Sequence, residues 1–236
     1  MLPNLAPDVP MDYQITYSGK RSTVAIIVKR QQLLVKAPTG TCERFIAEFV
    51  ASKRDWISKQ LDRQGELYRL KSRPLDDGTL SLFGRSVPVV IKGAKASSVR
   101  LQDNSIELCI SARVRHQQEK AKELLLAFMA EELARFIYMR LDYWQSRMGV
   151  KAVDIKVRVY KRRWGSCDRR HRLTFNTLLA GAPTWVIDYV LVHELAHIRY
   201  MDHGPRFWRL VNQHCAQTQE AKAWLREQGT SLELAF

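Results

Sequence analysis

The most informative segment of the chain is "LVHELAHIRYMDHGPRFW", residues 191 to 208. It contains His193-Glu194-Leu195-Ala196-His197, and His203 follows six residues after this motif. On an α-helix, residues four apart lie one turn apart and about 40° around the axis, so His193 and His197 would face the same way. Two imidazoles at this spacing can bind one metal ion between them.

Glu194 occupies the position that a catalytic base would need beside such a metal. It lies about 100° around the helix from His193, which makes it a poor third ligand but places it near a water bound to the metal. Zinc lowers the pKa of its bound water to about 7, and a neighbouring carboxylate can then accept the proton. The alternative is a structural polar network, because Val190, Leu191 and Leu195 indicate a buried helix on which histidines need partners.

A catalytic zinc ion usually has three protein ligands, and His203 is the candidate for the third. After the helix, the chain would turn through Asp202 and bring His203 back to the metal. Gly204 and Pro205 suit such a reversal, because glycine is flexible and proline favours the first turn of a helix. If His203 is instead an exposed turn residue, Glu220 on the following helix is the alternative third ligand.

The net charge of +14 favours anionic partners, and basic residues are concentrated just before the histidine motif. The segments "IKVRVYKR" (155–162) and "RLTFNTLL" (172–179) alternate and predict the two strands of a hairpin, with "WGSCDRRH" (164–171) as its turn. This basic hairpin, 156–172, is either a solubilising surface or an anion-binding site. It contains one acidic residue, Asp168. Its eight basic residues are Lys156, Arg158, Lys161, Arg162, Arg163, Arg169, Arg170 and Arg172.

The remaining patterns predict an α+β fold in two regions. Residues 1–113 are strand-rich with one inserted helix, which runs from Thr41 to about Leu70. Residues 114–236 contain a long amphipathic helix, predicted over 116–148. After the two predicted strands, a helix over 184–200 carries the histidine motif.

Composition and patterning exclude several classes of protein. The longest apolar runs are far too short to span a bilayer, and the N-terminus lacks the basic and apolar regions of a secretory signal. The four cysteines are scattered without a Cys-x-x-Cys pair, which is typical of reduced thiols rather than of a disulfide framework. We therefore expect a cytoplasmic protein with no membrane partner.

The order of several segments resembles that of a known family. These segments are "RWGSC" (163–167), "LTFNTLL" (173–179), "IDYVLVHELAH" (187–197) and "DHGPRFW" (202–208). Over about residues 158–211 they resemble the YgjP-like metal-dependent hydrolases, zincins related to the SprT-like and WLM metallopeptidases. The resemblance implies that residues 114–236 include a zincin-like catalytic domain, in which a small sheet lies against the metal-bearing helix and an edge strand lines the cleft. Asp188 and Asn176 also match, and one of them would bind a ligand histidine.

Carried over by position, the resemblance implies His193, His197 and His203 as the metal ligands and Glu194 as the general base. It also implies that the segment before the histidine motif contributes to substrate binding. The residues of this segment are Arg163, Trp164, Gly165 and Ser166.

The predicted activity is zinc-dependent hydrolysis with one zinc ion per chain, although another divalent metal would also suit the ligands. We first expect a peptide or protein substrate, because an edge strand beside the metal can pair with an extended chain. The first alternative is a nucleotide pyrophosphohydrolase, in which the basic hairpin 156–172 binds phosphates. The second is a nucleic-acid-associated protease, or a binding module, that uses the same basic residues.

Overall fold

The computed structural model describes residues 12–29 and 32–235. The chain forms two compact units, Met1–Leu70 and Lys71–Phe236. The boundary between these units falls earlier than the predicted one between residues 113 and 114, so strands assigned to the first region belong to the same unit as the histidine motif. As a functional division, the predicted boundary stays a prediction.

The first unit is a three-stranded sheet followed by helices. β1 (Tyr13–Ser18) and β2 (Ala25–Lys29) flank β3 (Gln32–Pro38). β3 runs parallel to β1 and antiparallel to β2. The helices are α1 (Glu43–Ser52) and α2 (Arg54–Arg69).

Alternation explains the packing of this unit. Leu33, Val35 and Ala37 point to one face of β3 and are buried. They share a core with three residues of the helices, Ile46, Val50 and Ile57. The single helix predicted over 41–70 is instead two helices, because the chain leaves helical geometry at Lys53 (φ −108°, ψ 11°).

The second unit begins with a four-stranded sheet. Its strands are β4 (Thr79–Leu82), β5 (Arg85–Ala94), β6 (Ser98–Gln102) and β7 (Ser105–Ser111), in the order β4-β5-β7-β6. β6 and β7 form a hairpin around Asp103-Asn104, whose backbones are both left-handed (φ 48° and 58°). Aspartate and asparagine tolerate this conformation, which such two-residue turns require.

The helix α3 (Gln117–Met148) confirms the long helix predicted over 116–148. It ends at Gly149 in the left-handed conformation (φ 60°), which costs glycine little. α3 packs against the helix that carries the histidine motif. Its buried residues recur at spacings of three and four, as an amphipathic helix requires: Ala121, Leu125, Phe128, Met129, Leu133 and Ile137.

A three-stranded sheet lies beside the histidine motif. β8 (Asp154–Arg158), β9 (Gly165–Cys167) and β10 (Arg172–Asn176) take the order β8-β10-β9. The predicted hairpin over 156–172 is wrong, because β8 runs parallel to β10 and a tight turn cannot join parallel strands. The segment predicted as the turn instead supplies β9, an edge strand antiparallel to β10.

Three helices complete the unit: α4 (Thr184–Ala196), α5 (Pro205–His214) and α6 (Thr218–Gln228). α4 is buried on nearly all sides and ends earlier than predicted, with His197 as its C-cap. Pro205 begins α5, because its fixed φ suits the first helical turn. Within the described ranges, none of the helices combines the length and the apolarity that crossing a membrane requires. The α+β class predicted from the sequence is confirmed.

Asp188 ties α4 to α3. Its carboxylate accepts hydrogen bonds from Nε and Nη2 of Arg140 (3.0 and 2.8 Å). Oδ1 also accepts one from Nε1 of Trp144 (2.9 Å). The Asp188 side chain is only 18% exposed, so solvent competes weakly for these bonds.

We expect Asp188→Ala to lower the free energy of unfolding by about 1–3 kcal/mol, because it leaves the Trp144 N–H and the Arg140 guanidinium without their acceptor. Equilibrium unfolding in urea measures the change. Glu131→Ala is the matched control, because its contact with Arg135 is exposed and long (3.9 Å) and should contribute less than about 0.5 kcal/mol. Equal losses of stability in the two variants would contradict the role of Asp188.

Candidate active site

Three histidines at the end of α4 and in the loop after it converge on one point. His193 lies within α4, His197 caps it, and His203 precedes α5. One ring nitrogen from each lies within 4.8 Å of the others, and Nε2 of His193 is 3.2 Å from Nε2 of His203. This arrangement fits three nitrogen ligands of a single metal ion. Glu220, the alternative third ligand, is not part of the group.

A backbone carbonyl fixes the orientation of His197. Its Nδ1 lies 3.0 Å from the carbonyl oxygen of Tyr200. Because a carbonyl only accepts hydrogen bonds, Nδ1 carries the proton, and the lone pair of Nε2 is available to a metal. The resemblance suggested Asp188 or Asn176 for this contact. Asp188 is instead engaged with α3, and Asn176 binds the backbone of the loop before β9.

Burial controls the charges of the groups at this point. Burial and the nearby rings of His197 and His203 lower the pKa of His193 to about 3, so the His193 ring is neutral at ordinary pH. Burial raises the pKa of Glu194 to about 8, and the positive charge of Arg163 opposes that rise. Burial also lowers the pKa of His197. Neutral imidazoles are the form that binds metals, so burial favours the metal-binding form of His193 and His197.

Two buried polar atoms at the site lack partners. Nδ1 of His193 and Oε2 of Glu194 make no hydrogen bond to any residue in the described part of the chain. Buried polar groups nearly always have partners, so each exception calls for an explanation. Both atoms lie beside the three histidines that could hold a metal ion, so a ligand bound there would supply the missing partners.

Two aromatic residues that the sequence-based prediction missed hold the histidine rings. Phe207, on the first turn of α5, is fully buried, and its ring centre lies 4.5–4.8 Å from those of all three histidines. Trp208 stacks on His203 (5.8 Å, 27°). These contacts restrict the rings and exclude water from one side of the site. The available signal was the position of Phe207, four residues after His203 on a helix opened by Pro205.

The edge strand β9 lies against α4, and Gly165 contacts Glu194. A Cβ at position 165 would lie 2.5 Å from Oε1, 2.7 Å from Cγ and 2.8 Å from Cδ of Glu194. Only glycine allows such a close approach. The outer edge of β9 has no strand partner among residues 12–29 and 32–235. Its backbone groups are therefore available for pairing beside Glu194.

The other residues predicted to bind substrate lie along the same segment but have different surroundings. Oγ of Ser166 is hydrogen-bonded to Oη of Tyr160 (2.9 Å). Trp164 packs against Gly229, where an added Cβ would lie 2.8 Å from the indole ring. Arg163 is exposed. The structure therefore brings Gly165 to the buried carboxylate and leaves the others beside it.

These features are those of a metal-dependent hydrolase whose metal-bearing helix lies along an edge strand. The chain belongs to the YgjP-like family, because the model of the YgjP-like metallopeptidase domain matches residues 22–228. The resemblance observed in the sequence is thereby confirmed. Membership makes the protein a metal-dependent hydrolase of the metallopeptidase type.

Two solved structures are similar to part of the chain. They are the metallopeptidase zymogens of jannalysin from Methanocaldococcus jannaschii (16% identity, TM-score 0.36) and of abylysin from Pyrococcus abyssi (20% identity, TM-score 0.35). Each match covers 39% of this chain and 95% of the other. No curated protein matches the sequence.

We expect Gly165→Ala to lower metal-dependent hydrolysis by at least about tenfold, because the new methyl group must displace the carboxylate of Glu194. Bound metal should stay at the wild-type level, because the nearest neighbours of the added Cβ belong to Glu194 and not to a histidine. Hydrolysis and metal content are measured on the same samples.

The matched control is Gly93→Ala, because an added Cβ at position 93 meets nothing within 4 Å. It should leave both hydrolysis and metal content unchanged. A fully active Gly165→Ala protein would mean that the position of Glu194 does not matter.

Proposed function

We propose that the protein is a zinc-dependent peptidase, with one zinc ion per chain bound by His193, His197 and His203. The observation that carries this proposal is the convergence of three imidazole nitrogens beside a buried carboxylate, in a chain of the YgjP-like metallopeptidase family. Zinc suits these ligands because nitrogen donors and a small coordination number are typical of its catalytic sites. We assign catalysis to residues 114–236, the region in which the sequence predicts the catalytic domain.

Glu194 is the general base of this proposal. Bound zinc would act as a Lewis acid and lower the pKa of a bound water to about 7. The positive charge of a zinc ion bound by the three histidines would also favour the ionised form of Glu194. Burial alone disfavours that form. The carboxylate would accept the proton of the attacking water and donate it to the leaving amine.

The outer edge of β9 is the proposed binding surface for the substrate backbone. An extended peptide can add to a free strand edge through main-chain hydrogen bonds. The absence of a side chain at Gly165 lets the backbone of β9 itself lie against the carboxylate of Glu194, so a peptide paired with β9 would run beside that carboxylate. The peptide bond to be cleaved would therefore lie between the edge strand and the three histidines.

We expect Glu194→Gln to lower the hydrolysis of a peptide pool by about 10²–10⁴-fold, because an amide cannot accept the proton of the attacking water. Zinc content should stay at one per chain. Glu220→Gln is the control, because Glu220 is exposed on α6. The same variant also tests Glu220 as the alternative third ligand. Full activity of Glu194→Gln would disprove the mechanism, and loss of zinc in Glu220→Gln would disprove the ligand set.

We expect His203→Ala to weaken zinc binding by more than about tenfold, because it removes one of three nitrogen ligands. Competition with a chromogenic chelator measures the affinity. His116→Ala is the control, because His116 is an exposed residue that caps α3. If both variants bind zinc as the wild-type protein does, His203 is not a ligand.

Hydrolysis of a phosphoanhydride in a nucleotide is the second candidate. The comparisons lend it no support, and the single observation in its favour is that Lys161, Arg162 and Arg163 lie together on the segment before β9. Such side chains can share the charge of phosphates. Release of phosphate or pyrophosphate from nucleoside triphosphates, absent in Glu194→Gln, would favour it over peptide cleavage.

The nucleic-acid alternative and the cellular location remain predictions. No comparison supports a nucleic-acid partner. Part of the basic segment 156–172 is engaged internally, because Lys156 pairs with Asp154 and Arg172 with Asp168. A cytoplasmic location agrees with the free thiols of all four cysteines.

A further inference from the structure

A cavity of about 410 Å³ opens beside the loop that leads into β9. Small-ligand sites typically have volumes of about 300–1,000 Å³. The loop, residues 159–164, forms one wall, and Lys122 on α3 lies in another. Leucine side chains and Trp164 supply apolar surface. We call this site the basic cavity, because Lys122, Lys161, Arg162 and Arg163 line it.

The charge of Lys161, Arg162 and Arg163 is not balanced by acidic residues in the wall of the basic cavity. Glu233 is the one acidic residue that lines it among those the structure describes. The Glu233 carboxylate is already bound by Nζ of Lys71 (2.6 Å). Lys161, Arg162 and Arg163 are exposed, and none of them makes an ion pair with a described residue. The cavity therefore presents a positive potential to a ligand.

The loop of the basic cavity is held rigidly. Asn176 is 3% exposed, and its Nδ2 donates hydrogen bonds to the carbonyl oxygens of Tyr160 (3.2 Å) and Arg163 (3.0 Å). Its Oδ1 accepts from the backbone N–H of Tyr160 (3.3 Å). A single buried amide thus fixes both ends of the segment that carries the basic residues. Preorganisation of this kind lowers the entropy lost when a ligand binds.

The basic cavity is also close to the proposed site of cleavage. Arg163 and Trp164 line the cavity, and the next residue, Gly165, contacts Glu194. A strand advances by about 3.3 Å per residue. A peptide paired with β9 would therefore place a side chain near the cavity within about two residues of the bond beside Glu194.

We propose that the basic cavity binds an anionic group of the substrate. In a peptide, this group is the carboxylate of an acidic side chain within two residues of the cleaved bond. The apolar surface would contact the methylene groups of glutamate, and the basic rim its carboxylate. The position of this anionic group in the substrate rests on the proposed peptidase function. Its chemical class rests on the charge and shape of the basic cavity.

The test uses the full-length, zinc-loaded protein and a set of fluorogenic peptides. The peptides differ at one position, up to two residues on either side of the bond, which carries Glu or Gln. All their other residues are identical and uncharged. We expect kcat/KM for Glu to exceed that for Gln by about tenfold at one of these positions. In Arg162→Glu this ratio should fall toward one, because the introduced carboxylate offsets much of the positive charge of Lys161 and Arg163.

The matched control is Arg169→Glu. Arg169 is exposed in the same basic segment but does not line the cavity, so its reversal changes the net charge equally and should keep the preference for Glu. A fall of the Glu/Gln ratio in both variants would attribute the preference to the overall field of the protein and overturn the assignment.

Binding of pyrophosphate to the same three proteins, measured by calorimetry, separates the two sources of an anionic group. If peptides are cleaved without preference for Glu, the basic cavity is not the anion site, and the peptidase proposal stands. If no peptide is cleaved, but Arg162→Glu binds pyrophosphate at least about tenfold more weakly than Arg169→Glu, the peptidase proposal fails. The cavity then binds the phosphates of a different substrate. Equal pyrophosphate binding without peptide cleavage would overturn both proposals.

Discussion

The contact between the backbone of Gly165 and the carboxylate of Glu194 sets how the edge strand, the metal-site helix and the buried carboxylate fit together. It removes Glu194 from water, and burial raises the pKa of this group to about 8. The contact is possible only because β9 lies at the edge of its sheet and packs on α4. A fourth strand inserted between β9 and α4, or any side chain at position 165, would separate Glu194 from the backbone edge that lies beside it.

The histidines depend on contacts of a different kind. α4 ends just before His197, and the loop that follows turns back so that His203 meets His193. The Tyr200 carbonyl oxygen keeps the proton of His197 on Nδ1. Phe207 packs against all three histidine rings. The end of a helix is a suitable place for such a site, because free carbonyl groups are available there to orient side chains.

The fold also divides the charge of the basic segment 156–172 into parts with different environments. Lys156 and Arg172 pair with neighbouring carboxylates, and Arg158 lies over the ring of Tyr160 (4.5 Å). Lys161, Arg162 and Arg163 instead line the basic cavity. Residues that look equivalent along the sequence therefore differ in the field they offer to a substrate, because ion pairing cancels the charge of some and not of others.

The sequence by itself determined the features that depend on local periodicity and residue chemistry. They include the long helix ending at Gly149, the helix start at Pro205, and the spacing that puts His193 and His197 on one side of α4. The order of its motifs also indicated the family. Such features can be read locally, because a helix repeats every 3.6 residues and caps use characteristic residues.

Only the tertiary structure decided the parallel pairing of β8 with β10, the edge position of β9, and the division of the chain at Leu70. It also decided that Asn176 holds the loop before β9 and that Asp188 binds α3 rather than a ligand histidine. These outcomes rest on backbone hydrogen bonds and on packing between residues far apart in the chain. Neither leaves a periodic pattern in the sequence, because every residue carries the same backbone groups and many different side chains can fill the same space.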